Sequence, residues 1–327
     1  MCRGGKVKLI KKLFQIEKHP RKGLLPLEWA VLAYTAFTLL LMMLLFTRLH
    51  NPVQMLTCRI QAVTIMLALW GVYRMLPCRL THLCRVVCQM SMLGVWYPDT
   101  YELNRILPNM DHLFASAEQA VFGCQPALVF SQACSHPVVS ELLNMGYVSY
   151  FPLIALVSFF YFFCRYESFD RATFVIMASF FLFYVVFIFL PVAGPQYYYA
   201  AVGLEQIAAG VFPDVGHYFE NQQTVLATPG WSDGFFYQMV VDAHEAGERP
   251  TAAFPSSHVG MTVVLLWLAW PASRRLFWII MPFAVLMFFA TFYIQAHYVI
   301  DAIAGVVAGT VLFFVCQGLF SLFPAKK

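Results

Sequence analysis

Charge is what this chain has least of. Of 327 residues only 12% are Asp, Glu, Lys or Arg, against roughly 25% in a soluble globular protein. That is too few charged side chains to clothe a water-soluble domain of this length. Disorder is excluded as well, because disordered chains are poor in aromatics and 17% of this one is Phe, Trp or Tyr. Basic residues do not alternate with aromatics, so nucleic acid is not an expected partner. The nine cysteines include no Cys-x-x-Cys and no Cys/His grouping with zinc spacing, which argues against a metal site. No internal repeat or low-complexity linker divides the chain. One integral membrane domain is what remains. Cys124 and Cys134 share a polar loop, and either pair as a disulfide, if that loop lies outside the cytoplasm, or stay free. The other cysteines read as packing residues.

What the chain does have is long apolar runs. A bilayer core of about 30 Å needs about 20 apolar helical residues. Trp29–Thr47, Leu142–Cys164, Ala172–Leu204, Pro250–Ser273, Leu276–Ile300 and Ala302–Ala325 hold no Asp, Glu, Lys or Arg. Pro52–Tyr73 joins them if Arg59 snorkels to an end. A weaker eighth run, Pro77–Tyr97, carries Arg79, His82 and Arg85 at one end. Cytoplasmic loops are rich in Lys and Arg. The first 26 residues hold eight basic residues, and the chain ends on Lys326 and Lys327. Both ends inside requires an even number of spans, which favours eight. Eight spans put 17 of the 21 Lys and Arg on the inner side, and leave only Arg48, Arg59, Arg105 and Arg249 outside. Twelve of the 17 acidic residues then fall in two outer loops, 98–141 and 191–254. The first span is too long for a signal peptide and lacks a small-residue cleavage site, so it reads as a retained anchor. The expected layout is a basic cytoplasmic segment 1–26, a single membrane domain 27–323 and a cytoplasmic tail 324–327. The expected setting is a bacterial inner (plasma) membrane, with the site on the extracytoplasmic face. Asp233–Ala246 and similar stretches suggest short helices on the membrane surface.

Two clusters carry chemistry. Phe254-Pro255-Ser256-Ser257-His258 enters the sixth span, and His297-Tyr298-Val299-Ile300-Asp301 enters the last. Two crossings joined by the turn Pro271–Arg275 separate them, so both histidines fall on one face, near helix N-termini. Helix N-termini offer free N–H groups and a partial positive charge, which suits a phosphate. His297 and Asp301 are four apart and share a helix face. The carboxylate is expected to accept from one imidazole nitrogen and leave the other free as a nucleophile, as in a Ser-His-Asp triad. Alternatively the two merely satisfy each other as a structural pair. The second histidine cluster on the same face favours chemistry.

Pro255-Ser256-Ser257-His258 followed by His297-x-x-x-Asp301 resembles the second and third motifs of the type-2 phosphatidate phosphatase superfamily. The resemblance covers roughly residues 142–323. It implies an all-α, polytopic membrane bundle built on that superfamily's six-helix core. It also implies catalytic roles: His297 as the nucleophile that forms a phosphohistidine, Asp301 orienting it, and His258 as general acid and base. Ser256 and nearby N–H groups would hold phosphate oxygens, with Ser257 standing where many members have glycine. No metal or cofactor is implied.

The departures from that pattern narrow the chemistry. Superfamily phosphatases carry Lys-x6-Arg-Pro before the second motif and Ser-Arg before the last histidine. Here Ala290-Thr291 stands in the latter place, and no Lys or Arg lies between Ala172 and Glu248. A phosphate monoester is close to a dianion at neutral pH and calls for several cations, whereas a diester carries one charge. Pro191-Val-Ala-Gly-Pro195-Gln-Tyr197-Tyr198-Tyr199 resembles the Ala-Pro-x-x-Tyr region of inositolphosphoceramide synthases, and His297-Tyr298-x-x-Asp301 resembles sphingolipid synthases. Asp111, Glu118 and Gly123-Cys-Gln125-Pro126 do so more loosely. The expected function is transfer of phosphoinositol from phosphatidylinositol to ceramide or dihydroceramide, releasing diacylglycerol. The alternatives are a lipid phosphate or pyrophosphate phosphatase, or transfer of phosphoethanolamine or phosphocholine to ceramide. The expected partners are those membrane lipids. Beside the histidines, Gln196, Tyr197, Tyr198, Arg249, Tyr298 and Asp111 are candidate substrate contacts. Tyr197–Tyr199 form either an interfacial aromatic belt or a head-group wall. His112, His136, His217 and His244 read as surface residues.

Overall fold

Apolar runs become helices here because a bilayer offers no partner to backbone N–H and C=O groups, which must be satisfied within their own segment. The computed structural model describes residues 13–17 and 20–323. The expected segment 1–26 lies in part, and the tail 324–327 wholly, outside them. In chain order the helices are α1 (Pro26–Leu45), α2 (Pro52–Met75), α3 (Arg79–Ser91), α4 (Leu93–Asn104), α5 (Asp111–Phe122), α6 (Pro126–Ala133), α7 (Pro137–Val148), α8 (Tyr150–Cys164), α9 (Phe169–Phe189), α10 (Pro195–Val202), α11 (Leu204–Ala208), α12 (Phe235–Gly247), α13 (Ser257–Ala272), α14 (Arg274–Tyr293) and α15 (Val299–Phe320). Among the described residues there is no strand beyond an isolated bridge between Ile16 and Cys78. The fold is an all-α membrane helix bundle. α1, α2, α6, α7 and α10 begin on proline, whose missing N–H is no loss in a first turn.

Five helices are long and apolar enough to cross a membrane, six if α7 and α8, bent by 48° at Ser149, count as one span. α13 is apolar but shorter. The expected third crossing is not one helix: it breaks at Met92 into α3 and α4. Its charges are held by partners on other elements: Arg79 lies over the Tyr166 ring, 4.1 Å from its centre, and His82 is 2.8 Å from Asp170. Arg85 grips Glu28 of α1 with two hydrogen bonds of 2.8 and 2.5 Å. Arg59 does not snorkel either. It is buried on α2 and meets Asp99 of α4 at 2.6 Å.

α9 is the hub. Most of its residues are buried, packed by α1, α4, α8, α13 and α15. At its N-terminal end a polar knot joins Glu17, Tyr73, Tyr166, His82 and Asp170. At its C-terminal end the chain turns through Pro191–Gly194 into the segment 191–254, whose short helices α10–α12, with α5 and α6, cap this end of the bundle. α13 and α15 touch backbone to backbone there. A Cβ on Gly305 would lie 2.6 Å from the Ser256 carbonyl oxygen, so only glycine permits the approach.

Candidate active site

Ser256 ends the loop before α13. Its side chain caps the helix by accepting from the Val259 N–H at 3.4 Å, and its own N–H donates to the Asp301 carbonyl at 3.0 Å. The starts of α13 and α15 are thereby tied, and with them the two expected motifs. The imidazoles of His258 and His297 face each other, His258 Nδ1 lying 3.4 Å from His297 Nε2. His297 Nδ1 is 2.7 Å from the Ala253 carbonyl oxygen. A carbonyl only accepts, so Nδ1 carries the proton and Nε2 keeps its lone pair. Burial lowers the His297 pKa to about 4, against the opposing pull of the Ala253 carbonyl and the Glu248 charge. At neutral pH the ring is uncharged, as a nucleophile must be.

Asp301 does not hold the imidazole as expected. Its Oδ2 is 3.8 Å from His297 Nδ1 and accepts instead from the Tyr298 N–H at 2.8 Å. α15 begins at Val299, so His297 stands in the turn before the helix and the four-residue spacing brings the two near each other without a hydrogen bond. Ala253, which sequence reading passed over, takes that place through its main chain.

Phosphate access also differs from expectation. The N-terminus of α15 is closed: Glu118 Oε1 accepts from the N–H groups of Val299 and of Ile300, the latter at 3.3 Å. The α13 N-terminus, capped by Ser256, is the one left to face an anion. Ser257 is buried, and its carbonyl accepts from Tyr150 Oη at 3.4 Å.

Asp111 and Tyr298 are buried rather than open to substrate. The Asp111 carboxylate accepts from the N–H groups of Ala193 and Gly194 at 2.6 and 2.8 Å, from Asn109 at 2.5 Å and from Tyr298 Oη at 3.1 Å. Burial raises its pKa, opposed by these same donors. Asp111 thus pins the turn before α10 to the His297 loop. The three consecutive tyrosines form no interfacial belt, since all are buried. Tyr198 Oη donates to the Pro213 carbonyl and Tyr199 Oη to Gln125, while Tyr197 packs edge-on against Phe219. Arg249 donates from Nη1 to the Glu248 carbonyl at 2.9 Å. Cys124 and Cys134 are both free.

Several neighbours had no sequence signal. His258 is packed between Tyr147, stacked at 4.6 Å, and Tyr150 at 4.4 Å. Glu248 accepts from Gln196 Nε2 at 3.0 Å and Tyr147 Oη at 3.3 Å, and lies 3.1 Å from His244 Nε2. His244 is therefore no isolated surface residue. It spaces four from Glu248, a pattern visible in the sequence, but nothing there placed it beside Tyr147. Among the described residues no group of His, Cys, Asp and Glu is arranged to hold a metal ion.

The facing histidines at two joined helix starts match what a family comparison finds independently. A model of the PAP2 superfamily matches residues 112–315. The chain belongs to the PAP2 superfamily. The matched stretch runs from the second residue of α5 through both histidine motifs, taking in Glu118 and stopping one residue short of Asp111. PAP2 superfamily members are phosphatases and phosphotransferases. No curated protein and no solved structure matches the chain.

Proposed function

We propose that this PAP2 protein is a phosphotransferase of the sphingolipid synthase type, moving phosphoinositol from phosphatidylinositol to ceramide or dihydroceramide. The observation that carries the reading is the His258–His297 pair, with Nδ1 of His297 fixed by Ala253 and Nε2 turned toward His258. His297 Nε2 attacks phosphorus, and the bond from phosphorus to the diacylglycerol oxygen breaks. Protonated His258 gives its proton to that oxygen. The neutral His258 then takes the proton of the ceramide primary hydroxyl, whose oxygen attacks phosphorus as the N–P bond breaks. This is covalent double displacement with one residue as acid, then base.

Transfer rather than hydrolysis is supported by charge. Arg249 is the one Lys or Arg from Ala172 to the second motif, too little for a monoester dianion. In this reading the short helices over the histidines limit water and the acceptor enters from the bilayer side. Purified protein given phosphatidylinositol and ceramide should yield diacylglycerol and a phosphoinositol-ceramide in equal amounts by lipid mass spectrometry. Rapid release of inorganic phosphate from phosphatidic acid, with no ceramide product from any diester donor, would establish the phosphatase reading instead.

A further inference from the structure

His258 is held differently from its partner. A main-chain carbonyl fixes His297. Among the described residues, the one polar group within hydrogen-bond reach of the His258 ring is His297 Nε2, at 3.4 Å. Two tyrosine rings hold it instead. Tyr147, in the last turn of α7, stacks on the imidazole with ring centres 4.6 Å apart and planes 27° apart. Tyr150, the first residue of α8, lies 4.4 Å away at 43°. The rings flank the 48° bend between α7 and α8, so each helix of the bent pair brings one. Both are buried and tied at their far ends. Tyr147 Oη donates to Glu248 at 3.3 Å, and Tyr150 Oη to the Ser257 carbonyl at 3.4 Å. Turning either face away would break a hydrogen bond in a buried place, which is costly.

An aromatic ring is negative on its face and positive at its edge. A cation over the face is attracted, the more so where water is excluded. An imidazole stacked there gains when it is protonated and gains little when it is neutral. Tyr147 adds to this, because its hydroxyl donates to a carboxylate and the hydrogen bond polarises the phenol toward a richer ring. The Glu248 charge reaches both Tyr147 and His297. The other ionisable groups around His258 are His297 and His244, whose charges reach it, and Tyr184 of α9, near Tyr150. Asp301 of α15 turns its Oδ2 to the Tyr298 N–H.

We infer that Tyr147 is a positioning residue that readies His258 as the general acid: its face, anchored by Glu248, keeps the imidazole against His297 and favours the charged ring that protonates the leaving oxygen. Tyr150 is the second wall of the same clamp. The inference rests on the phosphotransferase reading above and deepens it, by naming what keeps a proton on His258 until the diacylglycerol oxygen departs. It assigns to an aromatic ring the support that a carboxylate gives the histidine of a Ser-His-Asp triad.

The test follows phosphoenzyme formation from phosphatidylinositol in single turnovers between about pH 5 and pH 9. The step needs protonated His258, so its rate falls on the alkaline side. Removing a group that favours the charged ring must move that fall to lower pH. Tyr147→Phe keeps the face and serves as the baseline. Fluorinating that phenylalanine stepwise keeps its shape and drains the negative charge from its face. The alkaline limb should then move down in steps, by about half a unit to one unit in all, with the rate below the limb unchanged. Glu248→Gln should move the limb in the same direction. An analogue with an alkyl-tailed nitrophenol in place of diacylglycerol leaves without a proton, and its rate should stay within about twofold across the series. A limb unmoved by fluorination, or a loss equal at every pH and for both donors, would make Tyr147 a packing residue while the transferase reading stands. If wild-type protein forms no phosphoenzyme and no ceramide product, it is the transferase reading that fails.

Discussion

At the scale of single residues, the site turns on which group fixes the His297 tautomer. The Ala253 carbonyl does so at 2.7 Å, while the Asp301 carboxylate stands off at 3.8 Å. Two outcomes follow from this geometry. In serine proteases, removing the orienting carboxylate costs about 10⁴-fold, largely through the wrong tautomer. Here the tautomer survives without Asp301, so Asp301→Asn should slow phosphoenzyme formation by far less, on the order of 10- to 100-fold. His297→Ala should abolish the phosphoenzyme altogether. Single-turnover labelling from a radioactive donor measures both, and a loss near 10⁴ in Asp301→Asn would return the orienting role to the carboxylate. The second outcome concerns pH. A histidine nucleophile works only when neutral, and burial holds His297 down to about 4. Activity should therefore survive acidification through pH 6 and fall only as pH approaches 4. An acid limb centred at the ordinary histidine value near 6.5, absent from a His258 variant's residual phosphoenzyme formation, would assign that limb to His258. Present there, it would show His297 to be unshifted. The motif letters named His297 and Asp301 correctly as neighbours. They did not reveal that the helix starts only at Val299, which is why the expected hydrogen bond is missing.

Among the elements, α5 contributes more than its sequence advertised. Asp111 and Glu118 are seven apart, two helical turns, and so lie on one face. Asp111 holds the turn before α10, and Glu118 caps α15. One short helix thereby clamps both loops that frame the histidines. Loss of an N-capping group typically costs about 1 kcal/mol, so Glu118→Ala should lower stability by about that much. Glu118→Gln keeps an accepting oxygen and should cost less. Burial pushes the Glu118 pKa to about 7, with the Ile300 and Val299 amides opposing and the Asp301 charge reinforcing it. A folded-state pKa above the unfolded one means that the folded form binds more protons between them. Wild-type stability from this group therefore falls as pH rises from about 4.5 to about 7. Glu118→Gln cannot ionise and should gain on wild type between pH 5 and pH 8, read as a narrowing difference in thermal midpoint. A difference that widens with pH would mean the carboxylate is stabilising in its charged form. Sequence reading set Asp111 and Glu118 apart only through a loose likeness. No local pattern shows that a loop acid 181 residues from Val299 will cap its helix.

For the whole molecule, hydropathy made the bundle legible, because spans are set by local composition and bilayer thickness. The break at Met92 was not legible. The charges of α2 and α3 looked like span ends, yet Arg85 of α3 is buried against Glu28 of α1 and Arg59 of α2 against Asp99 of α4. A buried charge needs a partner, and the partner lies on another helix, invisible to a window that scans one segment. The cap over the histidines was equally hidden, since its contacts join loops 98–141 and 191–254 to the motif loops. Its chemistry depends on which side of the membrane it faces. The acidic residues crowd into these loops, and the turns at the other end carry Arg165, Arg171, Arg274 and Arg275. Cytoplasmic loops are rich in Lys and Arg, so the histidines are expected on the opposite face. In a variant with its native cysteines replaced by serine, Asn221→Cys tests the cap and Glu167→Cys the far turn, both positions being exposed. An impermeant thiol reagent applied to intact cells should label the first and spare the second until the membrane is opened. The reverse pattern would place the site in the cytoplasm, where the donor and acceptor lipids of the inner leaflet would have to supply it.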